Sequence, residues 1–316
     1  MSLADHTEQV LSAVDSGSAS SWLTASWRRS MVKHGLDPSQ RKSPRRYDMS
    51  HVARRREELG AFLEIATPKL DHLFQMVGNT GCCVVLTDNQ GVVLDQRSKD
   101  ADVDIFNRWG LWSGADWSEG SEGTNGIGTC LAEIRQVTIH RDEHFFTRNT
   151  GMSCMDSPIF GPDGELIGAL DVSSCRADQT EAYARLIGNV VAQTAKQIET
   201  DAFRMAFPKA RIIAAPDARS DGAVLLAVDQ DDLLIGATRA ARRLYQLGQN
   251  GVIAPTPASD ILGRDGDVSA LERAERAALK RAIARAGGNV SAAARELGIG
   301  RATLYRRMNR LGLGES

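Results

Sequence analysis

No apolar run in these 316 residues reaches the roughly 18 residues that a membrane-spanning helix requires, so no such span is expected. The opening MSLADHTEQV carries acids and no apolar stretch, which argues against a secretory signal and for a cytoplasmic location. Cysteine is scarce: Cys82, Cys83, Cys130, Cys154 and Cys175 are an odd number without a C-x-x-C pair. That pattern argues against a disulfide framework or a zinc site and fits reduced intracellular thiols. Neither sign of charge dominates, the net value being −2. What is there, 42% apolar and 25% charged residues, describes an ordinary globular chain long enough for two or three domains.

The charge is unevenly placed. Residues 264–316 carry 11 basic and 6 acidic residues, net +5; residues 1–263 carry 27 and 34, net −7. A basic tail on an acidic body points to nucleic acid as a partner, although a solvated helical face would carry the same charge.

Ser20 to His34 reads as a short helix with Trp22, Leu23, Trp27 and Met31 on one side. The basic, proline-containing Arg41-Lys42-Ser43-Pro44-Arg45-Arg46 follows. From His51 to Val77 apolar positions recur at helical spacing, and Pro68 is expected to bend or break that helix. Cys82 to Thr87, a turn at Asp88 to Gly91, and Val92 to Leu94 read as a hairpin, and Gln136 to His140 as a strand. Ser157 to Phe160 and Leu166 to Val172, joined by Gly161-Pro162-Asp163-Gly164, read as a second hairpin. A long helix from about Gln179 to Phe207 closes this part. A sheet bracketed by amphipathic helices is an α+β layout, whose helices pair with a second subunit or simply cover their own sheet. Arg211 to Leu262 gives strand, strand, helix and a linker marked by Pro255, Pro257 and Gly263.

Leu271, Ala274, Ala278, Leu279, Ala282, Ile283 and Ala286 form a helical stripe that Gly287-Gly288 ends. Asn289 is the expected N-cap of a second helix, Val290 to Leu297, and Gly298-Ile299-Gly300 the turn into a third, Arg301 to Leu311. With Leu304, Met308 and Leu311 inward, Arg301, Ala302, Thr303, Tyr305, Arg306, Arg307, Asn309 and Arg310 remain available, with Ser291 on the second helix. Arginine suits phosphates or guanine edges, asparagine suits adenine, and small residues permit close approach. Gly288 to Ala294 and Ile299 to Met308 resemble the DNA-binding end of the Fis family. The resemblance implies a helix-turn-helix that binds double-stranded DNA as a homodimer.

A second resemblance covers most of the remaining chain. Trp117-Ser118-Glu119-Gly120-Ser121-Glu122-Gly123-Thr124-Asn125-Gly126-Ile127-Gly128-Thr129, Glu143-His144-Phe145, Cys154 with Ser157-Pro158-Ile159, and Gly168 to Ser173 resemble the GAF domain of AcoR-like activators. Ser26-Trp27-Arg28 and His34 to Pro38 resemble their N-terminal signature, and Leu226 to Asp229 with Ala240-Ala241-Arg242 their PAS-like segment. The implied fold class is multidomain α+β: an N-terminal helical segment (1–50), a GAF-like sensor with an antiparallel sheet flanked by long helices (51–207), a short PAS-like segment and linker (208–263), and an all-α Fis-type helix-turn-helix (264–316). Such activators carry a central ATPase that remodels sigma-54 polymerase. No G-x-x-x-x-G-K-[ST] occurs here, and the interval from Cys175 to Arg264 is too short for that domain. Regulation without ATP hydrolysis and without a cofactor is expected, through DNA occupancy or contact with RNA polymerase or another regulator.

For a small-molecule effector, the GAF-type pocket would draw walls from Trp109, Trp112 and Trp117 and polar contacts from Glu122, Thr124, Asn125, His144 and Cys154. The same residues serve equally as core and helix caps. His140 and His144 flank Glu143 at helical spacing, but His140 ends a strand, so no metal site is expected. Cys154 is either a thiol activated by His144 or an inert buried cysteine. Two other functions stay open beside the regulator, which assigns no catalytic residue: a thiol redox enzyme using Cys82, Cys83, Cys130 and Cys154, and a ligand-independent architectural DNA-binding protein.

Overall fold

The computed structural model describes residues 3–15, 21–40, 43–178, 180–215, 222–262 and 270–313. Ser20, Arg41, Lys42, Gln179 and the expected boundary at Gly263 and Arg264 lie outside the described residues. The chain divides into two compact units, Met1–Ile261 and Leu262–Ser316.

In the first unit, α1 (Leu3–Asp15) and α2 (Trp22–Arg28) precede α3 (Met49–Glu58) and α4 (Gly60–Val77). The break in the helix expected over His51–Val77 falls at Leu59, where φ is −103° and ψ 16°, while α4 runs on through Pro68. Proline forfeits one backbone donor and crowds the preceding turn. Phe62, Leu63 and Ala66 before it and Leu70, Leu73 and Val77 beyond it share one core, and their joint burial outweighs that cost.

The strands β1 (Cys82–Thr87) and β2 (Val93–Arg97) form the first hairpin, turned at Gly91 with φ +82°. Three short helices, α5 (Val103–Trp109), α6 (Glu119–Glu122) and α7 (Gly126–Glu133), lead to β3 (Val137–His140), β4 (Ser153–Phe160) and β5 (Leu166–Ser174). The sheet order is β2-β1-β5-β4-β3, antiparallel throughout. Because strand residues alternate between faces, Cys82, Val84, Leu86, Met155 and Val172 pack against α4 and α8 (Glu181–Ala206). Cys83, Val85 and Cys154 face the other way, against Phe106, Leu111, Trp117 and Ile127.

A second sheet of β6 (Arg211–Ala214), β7 (Leu225–Val228), β8 (Leu233–Ala237) and, beyond α9 (Arg239–Tyr245), β9 (Thr256–Pro257) has the order β6-β7-β8-β9 and is followed by α10 (Ala258–Ile261). Two of these strands, β6 and β9, add to the strand, strand, helix read from the sequence. Phe203 of α8 and Phe207 beside it pack with Ile212, Leu225 and Ala227. Gly236 makes that approach possible, since a Cβ there would sit 2.3 Å from the Phe207 ring.

The second unit is α11 (Ala270–Arg285), α12 (Val290–Glu296) and α13 (Arg301–Arg310) around Leu279, Ala282, Ala293, Ala294, Leu304, Met308 and Leu311. The multidomain α+β architecture, an antiparallel sheet with long flanking helices and C-terminal helices, is the one expected.

Candidate nucleic-acid interface and effector face

Asn289 starts α12 by accepting the Ala292 amide at 3.1 Å, satisfying one of the donors that a helix N-terminus leaves free. Gly298, at φ +66°, makes the turn into α13 in a conformation that a side chain resists. The fully buried Ala293 and nearly buried Ala294 let α12 lie close behind α13. With Leu304, Met308 and Leu311 inward, the 3.6-residue period sets Ala302, Arg306 and Asn309 at the centre of the outer face. All three are exposed, as are Arg301 and Tyr305, whose guanidinium and ring lie 5.6 Å apart. Thr303 and Ser291 are half-buried. Arg307 and Arg310 differ from the rest of the expected set, because both are ion-paired to Glu275 of α11, Arg307 at 3.2 Å. The helix α13 holds four arginines and no acid.

In the first unit the expected effector residues fall into two groups on the α5–α7 face. Trp117 is buried, its indole donating to the Gly110 carbonyl at 2.9 Å; Trp109 and Trp112 are half-buried against the same cluster. Trp112 lies under the Arg46 guanidinium at 5.6 Å, and its indole nitrogen has no partner among the described residues. Glu122, Thr124 and Asn125 form one loop. Asn125 caps α7 through the Gly128 amide at 2.8 Å, and the Thr124 hydroxyl meets that of Ser26 at 2.8 Å. Ser26 also donates to Glu119 at 2.9 Å, Arg29 is ion-paired to Glu119, and the Trp27 indole donates to the Glu143 carbonyl at 2.9 Å. The N-terminal signature is thus a clamp on this loop, a role that Arg29 and Glu119 share without having been singled out in the sequence.

Buried Glu122 is ion-paired to Arg148 and accepts from Asn149 at 3.3 Å; burial nonetheless pushes its carboxyl up to about 7. His144 is buried and its imidazole is lowered to about 4, chiefly by that burial. Its Nδ1 faces the Arg141 carbonyl at 2.9 Å and must donate, which leaves Nε2 to accept from the Cys154 thiol at 3.4 Å. Burial pushes the Cys154 thiol well above its usual value, so this is a neutral pair, opposite to an activated thiolate. Burial raises Cys82, Cys83 and Cys130 likewise. Cys154 continues inward to Ser173 at 3.1 Å, and Ser173 donates to Asp171 at 2.8 Å.

Asp171 stands opposite Asp156 across β4 and β5, both fully buried. Burial raises both carboxyls, Asp171 to about 7 and Asp156 well above the carboxylate range. Asp156, which keeps its proton, donates it to Asp171, while two Arg148 nitrogens and the Asn149 carbonyl oxygen lack partners among the described residues. Sequence reasoning missed Asp156, Arg148 and Asn149. The described residues hold no group of three or more metal-ligating side chains, and none of their helices is long and apolar enough to cross a membrane.

The sheet with helices on both faces is found again in the crystal structure of the E. coli DhaR(N)-DhaL complex, with a TM-score of 0.53 over 73% of this chain and 78% of that one. At 16% identity this is a likeness of fold. The two units therefore define a class: a GAF-like fold followed by a Fis-type helix-turn-helix. More particularly, residues 4–200 match the MimR N-terminal domain, and the chain belongs to that family. Residues 270–311 match the Fis family of bacterial regulatory proteins, which implies binding to double-stranded DNA. The acetoin catabolism regulatory protein of Cupriavidus necator is 30% identical over 76% of this chain and 36% of its own length. The propane 2-monooxygenase operon transcriptional activator MimR of Mycolicibacterium smegmatis is 30% identical over 55% of this chain, and the acetoin dehydrogenase operon activator AcoR of Bacillus subtilis 28% over 55%. The chain spans 36%, 29% and 29% of these three relatives.

Proposed function

We propose that the chain is a cytoplasmic transcriptional regulator that binds operator DNA as a homodimer and changes its occupancy when a small molecule binds its sensor, without ATP hydrolysis. The outer face of α13 carries the DNA half of this reading: Arg301, Ala302, Tyr305, Arg306 and Asn309 stand exposed on one helix that holds no acid. One such helix reads only a few base pairs, which favours two copies on a two-fold site. In the proposed division of labour, residues 1–50 clamp the sensor (51–207), 208–263 form the PAS-like segment and linker, and 264–316 read DNA. The effector face is proposed at Trp109, Trp112, Trp117, Glu122, Thr124, Asn125, His144 and Cys154, joined by Arg148 and Asn149. Orphaned polar atoms in a buried loop cost stability unless a ligand or water meets them, and that cost supports the assignment.

The test has two parts. Selection of bound sequences from genomic DNA yields the operator, and fluorescence anisotropy then measures its affinity with and without metabolites of the neighbouring genes. An effector must prefer one DNA-binding state over the other to act. One affinity in the presence of every metabolite rejects effector coupling; sedimentation as a monomer on and off DNA rejects the homodimer.

A further inference from the structure

The first unit holds a further concavity, lined by none of the residues of the effector face. A cleft of about 720 Å³ opens between β4 and α8 on one side and α9 on the other, within the size range of small-molecule sites. Its charged lining is Glu133, Arg135, Lys196, Glu199, Arg239 and Arg243. Arg135 is neutralised locally by Glu133 at 2.5 Å. Lys196, Arg239 and Arg243 form no ion pair with a described residue, although all three border the same hollow.

Glu199 is attracted to Lys196 and Arg239, and a single carboxylate offsets at most one of these three positive charges. Its carboxylate is held by the Phe160 amide at 3.0 Å, and burial pushes it up to about 7. Arg239 is half-buried with its guanidinium 4.1 Å from the Phe160 ring centre. Burial and then the neighbouring Arg243 lower its pKa, while the Glu199 carboxylate acts the other way. Lys196 supplies a third donor from the opposite wall, on α8. Apolar atoms of Pro158, Ala192 and Leu244 line the remaining wall.

We propose that this cleft is a binding site for a small organic anion whose oxyanion groups, carboxylate or phosphate, bridge Lys196 of α8 to Arg239 and Arg243 of α9. Cations held in a concave wall concentrate anions, and arginine adds paired hydrogen bonds to an oxyanion. A bound anion would tie the helix that supports the first sheet to the helix that covers the second. The site would serve the proposed sensor as a second input, distinct from the effector face.

The experiment is calorimetric titration of the full chain with succinate, with inorganic phosphate, and with erythritol as a neutral control. Saturable binding of at least one anion, and none of erythritol, is expected. Lys196→Gln and Arg243→Gln should each weaken it about tenfold, the usual scale for a lost charge-assisted contact. Arg306→Ala in α13 should leave it unchanged, which separates the cleft from the basic tail. Saturation by succinate alone assigns a carboxylate ligand, and by phosphate alone a phosphate ester. Absence of saturation by either anion overturns the site, as does binding that both cleft substitutions leave intact. Because no readout involves DNA, failure of the cleft is distinguishable from failure of effector-coupled DNA binding.

Discussion

Asp156 and Asp171 face each other across two hydrogen-bonded strands with no cation among their described partners. Folded, burial holds protons on this coupled pair well past the ordinary carboxylate value of about 4, at which the unfolded chain releases them. Above that value the folded chain binds more protons, so stability is full at low pH and falls as pH rises through 7. Asp171→Asn removes Asp171's share of that loss and leaves that of Asp156. Its melting midpoint should gain on the parent protein between pH 5 and pH 8, by about 2–4 °C for each kcal/mol recovered, and a constant difference across the range would refute the account. His144 acts with the opposite sign: kept neutral down to about 4, it costs stability as pH falls below the ordinary imidazole range. The thiols make a separate prediction. Cys175 is the one cysteine that is not buried, so iodoacetamide should alkylate it first in the native protein, and Cys154 only after unfolding. Peptide mapping of early and late products checks this order.

At the scale of elements, what could be read from the sequence was what local chemistry decides. Both hairpins of the first sheet announce their turns at Gly91 and Gly164, and the three C-terminal helices their ends at Gly287-Gly288 and Gly298. The helix α1 escaped because its buried Val10 and Val14 find their partners at Phe145 and Phe146, far along the chain. The facing of Asp156 and Asp171 escaped for a different reason. The β4–β5 register shifts by one residue between Ile159 and Phe160, and a one-residue slip reverses which side chains meet. The α13 face was legible residue by residue, but the tether of Arg307 and Arg310 to Glu275 required the packing of α11. That tether makes a prediction: Glu275→Gln should raise affinity for non-specific DNA and steepen its salt dependence by about 0.9 logarithmic units per arginine released. Arg306→Ala should instead cost about 1–3 kcal/mol on the selected operator. Titrations at several salt concentrations separate the two effects.

For the whole molecule, the uneven charge matters more than its sum. With −7 before residue 264 and +5 after it, DNA affinity should reside in the second unit. A chain ending at residue 262 should keep its fold by circular dichroism and lose operator binding, whereas retained binding would move the interface to the region of Arg45 and Arg46. The first unit has its own unity, imposed by α8. That one helix of 26 residues, about 39 Å long, buries Ile187, Val191 and Ile198 in the core of the first sheet and Phe203 in that of the second. The two cores are therefore geared to a single helical phase. One residue inserted between Ile198 and Phe203 would turn everything beyond it by about 100°, taking Phe203 out of mesh with Leu225 and Ala227 while leaving the first sheet untouched.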